Sequence, residues 1–261
     1  MSVMCVHDRR ELEPFLRRST YLHLYEIGDL DDFFWPYTTW YVSRDEHDLR
    51  EVALLYLGSK PPTLLALTRD GSAGMAALLG DSLHLMPPHF YAHLSEDLVE
   101  VFKDTYGVRA HGTHLKLALT NPAALDSIDA SDVERMTLED AAELEQLYSI
   151  SYPGNWFDPH MLQSGCYHAI RRHGRVVSVA GIHVFSRQYR VAALGNVTTH
   201  PDFRGQGLAS RACVALCRSL QPVVDHIGAN VKADNASALA CYSRLGFERM
   251  ASYGEFDLRL T

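Results

Sequence analysis

The densest run of residues able to do chemistry is Thr198-Thr199-His200-Pro201-Asp202-Phe203-Arg204-Gly205-Gln206-Gly207-Leu208-Ala209. An apolar, β-branched stretch ends in a proline turn, and a glycine-rich loop opens directly into a segment of helical periodicity. Glycines accept positive φ and leave room for a ligand, so several backbone N–H groups can converge on one anion. The N-terminus of the following helix adds about half a positive charge, and Arg204 adds a full one. Together these features suit a pyrophosphate. Gly205 and Gly207 taken alone would equally suit a tight strand-to-helix turn. The loop is not a Walker loop, since no Gly-Lys-Ser/Thr follows, and it lacks the complete G-x-G-x-x-G of dinucleotide folds.

Other reactive side chains are less organised. His84, His89, His93, His111 and His114 crowd one stretch, and His89 and His93 have the i,i+4 spacing that on a helix could face one metal ion. With no HExxH and no cysteine nearby they read as surface or hydrogen-bonded histidines, and no metal is expected. The five cysteines (Cys5, Cys166, Cys213, Cys217, Cys241) are odd in number and form no CxxC pair, which points to free thiols rather than a disulfide framework. Cys213 and Cys217 share a helix face with Leu208, Ala209, Ala212, Leu216 and Leu220, so core packing is expected there. The aromatic run Trp35-Pro36-Tyr37-Thr38-Thr39-Trp40-Tyr41 reads as a core or interdomain contact.

The 261 residues are 47% hydrophobic and 21% charged, with apolar runs too short to span a bilayer. The opening decapeptide lacks the long apolar stretch of a secretory leader, so a cytoplasmic protein with no membrane partner is expected. A net charge of −8 argues against a broad nucleic-acid-binding surface, which needs clustered cations. It leaves room for a local basic site that takes a small anion.

The elements that must position the loop follow from periodicity. The turn-prone, acidic stretch 120–132 separates two regularly patterned halves, 1–128 and 129–261. In the second, Val133 to Met136 predicts a short strand, and Thr137, with Asp140 three residues on, caps a helix to about Tyr152. A helical turn follows at Pro159 to Gln163. Strands come next at Cys166 to Arg171 and Val176 to Phe185, turning at His173-Gly174, then at Val191 to Thr199. A helix at Leu208 to Leu220, a strand at His226 to Lys232, a helix at Ala236 to Leu245 and a strand from Tyr253 to Leu260 complete an α/β layer with a mixed sheet. The first half predicts strands at Thr39 to Val42, Val52 to Leu57, Thr63 to Leu67, Met75 to Leu79 and His114 to Leu119. It also predicts a hairpin turn at Asp70-Gly71 and a helix opened by Ser95, with Glu96 and Asp97 in its first turn, running to Tyr106. Its rhythm partly repeats that of the second half.

Arg204-x-x-Gly207-x-Ala209 resembles the R/Q-x-x-G-x-G/A loop of the GNAT superfamily of N-acetyltransferases. Downstream, Asn235-Ala236-Ser237-Ala238-Leu239-Ala240-Cys241-Tyr242-Ser243-Arg244-Leu245-Gly246-Phe247 resembles that family's N-x-x-A-x-x-L-Y-x-x-x-G-F, with Cys241 where leucine is commoner. The resemblance covers roughly residues 130 to 261. The first half carries no such loop, so the chain is similar to proteins, such as those resembling glycine N-acyltransferases, that pair a degenerate GNAT-like first half with an active second one. The fold implied is of α+β type: tandem GNAT-like halves, each a mixed, mostly antiparallel sheet flanked by helices.

The resemblance implies an acyl transfer from acetyl-CoA, with no metal. It implies that the backbone of Val197, Thr198 and Thr199 pairs with the pantetheine arm, and that amides from Gly205, Gln206, Gly207, Leu208 and Ala209 hold the pyrophosphate. It further implies that Asn235 contacts the pantetheine and that Tyr242 lies near the thioester sulfur. Direct attack by an amine in a ternary complex requires no enzyme nucleophile, and no Ser-His-Asp set is legible. In such folds the strands Val191 to Thr199 and His226 to Lys232 splay apart to admit the cofactor; backbone N–H groups of the first would stabilise the oxyanion, and Tyr242 is the candidate general acid for the coenzyme A thiolate. Many family members carry a base on the strand before the loop as a glutamate, but Val191 to Thr199 has no carboxylate. His183, Asn196, His200 and a bound water are the open alternatives. Gly195 suits a bulge or a packing glycine, and Trp156 and Phe157 suit an acceptor pocket or a core cover. The acceptor is a small-molecule or protein amine. A coenzyme A-binding regulatory or sensor module without turnover is the reading from a different class.

Overall fold

The computed structural model describes residues 4–46, 48–69, 71–95 and 97–261. The chain divides into two compact units, Met1–Lys116 with Lys232–Asp234 and Met250–Thr261, and Leu117–Val231 with Asn235–Arg249. In chain order the first unit contains β1 (Met4–Val6), α1 (Arg9–Leu16), α2 (Leu24–Gly28), β2 (Thr38–Asp45), β3 (Asp48–Tyr56), β4 (Thr63–Ala66), α3 (Ala73–Ser82), β5 (His89–Leu94) and most of β6 (Tyr106–Leu119). The second contains β7 (Glu134–Arg135), α4 (Ala141–Ser151), β8 (His168–Arg172), β9 (Arg175–Ser186), β10 (Val191–Thr199), α5 (Leu208–Leu220), most of β11 (His226–Lys232) and α6 (Ala236–Arg244). The final strand β12 (Phe247–Leu260) gives its last residues to the first unit, where Gly254 to Arg259 pair antiparallel with Leu94 to His89 of β5.

Each unit runs through a similar order: an antiparallel meander, a helix, and a strand parallel to the one before the helix. In the first, β1, β2, β3 and β4 pair antiparallel in sequence, and β5 lies parallel to β4 beyond α3. In the second, β7, β8, β9 and β10 pair antiparallel, and β11 lies parallel to β10 beyond α5. A parallel neighbour needs a crossover, and each intervening helix supplies it. The mixed, mostly antiparallel sheets with flanking helices are the architecture expected.

Apolar burial explains why the helices lie where they do. α5 buries Leu208, Ala212, Cys213, Val214, Leu216, Cys217 and Leu220 along its inner face, each large aliphatic contributing roughly 1.5–3 kcal/mol of transfer free energy. Cys213 and Cys217 are therefore core residues, and all five thiols are free. In the first unit, α3 buries Met75, Leu78 and Leu79 against Phe90, Phe102 and Tyr106, whose rings meet edge to face. Trp40 and Tyr41 are likewise core residues, with the Trp35 ring tilted against His7 at 4.1 Å and 6.3 Å from Trp40.

Several expectations for the first unit are corrected. Met75 to Leu79, read as a strand, lies in the helix α3, because a short apolar run fits a buried helix as well as a strand. Gly71, at φ +70, leads into α3 rather than closing a hairpin; Asp70 and Glu96 lie outside the described residues. The helix expected from Ser95 is a short 3-10 segment, Leu98–Phe102. His89 and His93 sit on the strand β5, not on a helix. They share its polar face, where His89 Nε2 meets Asp257 at 2.8 Å and His93 Nε2 approaches Glu255 at 3.5 Å. Among the described residues no group of three or more His, Cys, Asp or Glu is placed to hold a metal ion, and no helix is long and apolar enough to cross a membrane.

Candidate active site

The second unit opens where its parallel pair comes apart. β10 and β11 pair from Val191 with His226 to Leu194 with Ala229, and the ladder ends there although both strands continue. The backbone of β10 from Gly195 to Thr199 is thus an unpaired edge toward β11, the kind of edge an extended arm can complete as an added strand. Val197, Thr198 and Thr199 lie on this stretch. On its other side β10 stays tied to β9, through Thr199 opposite Ser178 and the His200 N–H to the Val177 carbonyl at 2.8 Å. The open edge is therefore held rigidly from behind.

Beyond β10, a 3-10 turn at Pro201–Phe203 leads to the glycine loop. His200 caps that turn, its Nδ1 accepting the Asp202 N–H at 3.3 Å, and its ring lies 5.8 Å from that of Phe203. Gly205 and Gly207 have φ of +77 and +74, and a β-carbon on either would meet nothing within 4 Å. The glycines are needed for backbone conformation, and the space before the loop is open. Gly207 is the N-cap of the 13-residue α5 and has no capping side chain, so the first-turn amides of Leu208, Ala209 and Ser210 have no intrahelical acceptor. Arg204 folds back, donating from Nε to the Thr199 carbonyl at 3.2 Å and from Nη2 to the Ser151 carbonyl at 3.4 Å, which ties the loop to the end of α4. It remains exposed and keeps its charge beside the loop. Backbone amides, a helix N-terminus and a neighbouring cation come together at Gly205, Gln206, Gly207, Leu208 and Ala209, an arrangement able to take an anion.

The second sequence element folds for reasons visible in its contacts. Asn235 caps α6, its Oδ1 accepting the Ala238 N–H at 3.1 Å and the Ser237 hydroxyl at 3.0 Å. Its Nδ2 is the group left for a ligand. Tyr242 is buried, its ring edge-on to Phe247 with centroids 5.2 Å apart. Gly246, at φ +86, ends the helix, and a β-carbon there would lie 2.1 Å from the backbone oxygen of Asn121. Its carbonyl accepts the N–H groups of Thr120 and Asn121. Cys241 faces α5 with Sγ 3.1 Å from the Ser210 hydroxyl, and a hydrogen bond from Cys213 pushes its thiol down to about 6.

A polar relay beside the opening joins residues that sequence reasoning treated one by one. The register between β9 and β10 slips between Gly195 and Thr198, and Asn196 sits at φ +52, which makes this stretch a bulge. Gly195 pairs across to Gly181. A β-carbon on Gly195 would fall 2.2 Å from the His183 ring, and one on Gly181 would fall 2.2 Å from the Tyr167 ring. Gly195 is thus a packing glycine at the edge of the bulge, which falls on Asn196 and Val197. Asn196 bridges the two rings: its Nδ2 donates to the Tyr167 hydroxyl at 2.9 Å, and its Oδ1 lies 3.2 Å from His183 Nε2. Tyr167 in turn donates to the Ile182 carbonyl at 3.2 Å, and Tyr148 of α4 donates to the Asn196 carbonyl at 2.7 Å. Burial pushes both phenols well up, so they stay protonated. Phe157 closes the group, 4.8 Å from Tyr148 and 5.5 Å from Tyr167, while Trp156 is exposed. Tyr148, Tyr167 and Gly181 carried no sequence signal, since nothing local marks a glycine as lying under a ring.

The first unit repeats the element order without the opening. β4 and β5 pair through Ala66 with Leu94, and Ser95 then continues the seam: its N–H donates to the Ala66 carbonyl at 3.1 Å and its hydroxyl accepts the Thr68 N–H at 2.8 Å.

Comparison with known proteins agrees with this geometry. A family model described as Acetyltransferase (GNAT) family matches residues 132–247. No curated protein matches the chain. Among solved structures, a Drosophila protein superposes with a TM-score of 0.73 at 13% identity, covering 98% of each chain. An acetyltransferase of the GNAT family from Colwellia psychrerythraea gives 0.59 at 11% identity, covering 99% of this chain and 100% of its own. A tandem GNAT protein from the clavulanic acid biosynthesis pathway gives 0.52 at 15%, covering 98% of each. At such identities these three establish the fold alone, and they do so over nearly the whole chain. Residues 132–247 thus match the GNAT acetyltransferase family, and the chain as a whole takes the fold of GNAT structures, a tandem GNAT protein among them.

Proposed function

We propose that this protein is an N-acetyltransferase that moves an acetyl group from acetyl-CoA to a primary amine by direct attack in a ternary complex. The observation that carries this reading is the early end of the β10–β11 ladder at Leu194 and Ala229, continuous with an open glycine loop at the N-terminus of α5. The cradle of Gly205, Gln206, Gly207, Leu208 and Ala209, with Arg204 beside it, would hold the pyrophosphate. The backbone of Val197, Thr198 and Thr199 and the amide of Asn235 would hold the pantetheine arm. Acetyl-CoA supplies an activated thioester. Amides on the unpaired edge of β10 would stabilise negative charge on the carbonyl oxygen, and the Tyr242 phenol would donate a proton to the departing thiolate. The amine is borne by a small molecule or a protein; the net charge of −8 disfavours nucleic acid. Free thiols fit a cytoplasmic setting.

The absence of a carboxylate from Val191 to Thr199 favours a second reading, a coenzyme A-binding regulatory or sensor module without turnover. Thiol release from acetyl-CoA, followed over a panel of primary amines, separates the two. The expected result is turnover on at least one amine, with kcat lowered on the order of 10²-fold or more in Tyr242→Phe. Tight coenzyme A binding with no turnover on any amine would establish the sensor instead.

A further inference from the structure

We infer that His183 is the general base of the acyl transfer and that Asn196 is the residue that positions it. The inference rests on the reaction proposed above and supplies the group that β10 lacks. Asn196, a primary amide, takes up no proton at working pH, and His200 is occupied in capping the Pro201–Phe203 turn. His183 is an imidazole beside the opening: it lies against Gly195, one residue beyond the last β10–β11 pair.

The relay sets its tautomer. The Asn196 amide donates from Nδ2 to Tyr167, so its Oδ1 is an acceptor, and His183 Nε2, 3.2 Å away, must carry the proton. Nδ1 is then the basic nitrogen. Tyr167 fixes the amide by donating onward to the Ile182 carbonyl, and Tyr148 fixes the bulge by donating to the Asn196 carbonyl. The Gly181–Gly195 pair clears the sheet surface on which both rings rest. A bulge, a residue at positive φ and two cross-strand glycines are a costly local arrangement, of the sort that persists at working sites. In the step itself the amine nitrogen forms a bond to the acetyl carbon while the carbon–sulfur bond breaks. The amine proton passes to His183 Nδ1 and then to solvent, and Tyr242 protonates the thiolate. Titratable groups facing the relay include Tyr148 of α4 with Tyr152 at its end, Cys166 and Tyr167 from the segment entering β8, and Asp158 before the 3-10 segment Pro159–Ser164; that segment also contributes Met161, whose sulfur lies 3.7 Å from Asn196 Nδ2. β10 contributes no ionisable side chain.

The test is the pH profile of kcat/KM for the amine in wild type, His183→Gln and Asn196→Asp. Folding is checked by circular dichroism, and cofactor binding by calorimetry with acetyl-CoA. His183→Gln is expected to lose about 10²–10⁴-fold in kcat and to lose the acidic limb, with acetyl-CoA affinity unchanged. Asn196→Asp places a carboxylate beside the ring, favours the imidazolium, and should move the acidic limb up by about 1–3 pH units. A packing role would not move that limb, so Asn196→Asp decides the matter even if His183→Gln fails to fold. Wild-type turnover with an unaltered rate and limb in His183→Gln, or an unmoved limb in Asn196→Asp, overturns the assignment of the base alone. No turnover by wild type on any amine overturns the proposed reaction, and this assignment with it.

Discussion

Gly207 shows how one residue carries two requirements. Its φ of +74 is strained for any L side chain, at a cost of roughly 1–2 kcal/mol, yet its missing β-carbon faces open space. Gly207→Ala therefore isolates the backbone term, and Gly207→Glu adds a carboxylate at the proposed anion site. Calorimetry should find acetyl-CoA affinity reduced by well over tenfold in the glutamate variant and by much less in the alanine one; equal affinity for wild type and Gly207→Glu would sink the cradle. His168 makes a prediction of a different kind. Burial, aided by the Arg135 cation, pushes its imidazole from 6.5 down to about 4. Between those values the unfolded chain takes up a proton that the folded chain refuses. The stability is thus fully present above pH 6.5 and is lost as pH falls toward 4, by up to about 3 kcal/mol at 1.36 kcal/mol per unit. Urea unfolding at a series of pH values should show this slope, and His168→Gln should flatten it. An identical slope in the variant would mean that another group is responsible.

At the scale of elements, the same order of strands and helices gives an opening in one unit and a sealed seam in the other. β10 and β11 stop pairing at Leu194 and Ala229, whereas β4 and β5 are carried one residue further by Ser95. The difference lies in hydrogen bonds to a single serine and in a bulge at Asn196. α6 depends on a comparably small feature, the end of the helix at Gly246, which is pressed on the Asn121 carbonyl. Gly246→Ala would meet both a positive φ and a backbone clash that no rotamer relieves. It should lower stability by more than the roughly 1–2 kcal/mol of the dihedral alone, measured as a lower midpoint in denaturant. A midpoint equal to that of wild type would show that the 117–121 stretch yields easily.

For the whole molecule, a tandem fold with one open pair predicts one acetyl-CoA per chain in a calorimetric titration; two equivalents would require the Ser95 seam to part. Much of the second unit was legible beforehand. β10, α5 and β11 begin and end where strand alternation and helical periodicity place them, because each buries a face set by its own residues. The glycine loop was legible for the same reason: its glycines, arginine and helix start are contiguous. In the first unit, local pattern misled. Met75 to Leu79 is apolar enough for either period, and β5 hides behind histidines whose partners, Asp257 and Glu255, lie far off in β12. The sequence by itself therefore determined the glycine loop, the helices beside it and the second half's resemblance to the GNAT family, all written in short stretches of chain. Only the tertiary structure decided that β12 ends in the first unit, that one strand pair opens while its counterpart closes, and that Tyr148, Tyr167, His183 and Asn196 meet over two glycines. Those outcomes depend on pairing between distant segments, where register and a missing β-carbon matter, and no local periodicity encodes them.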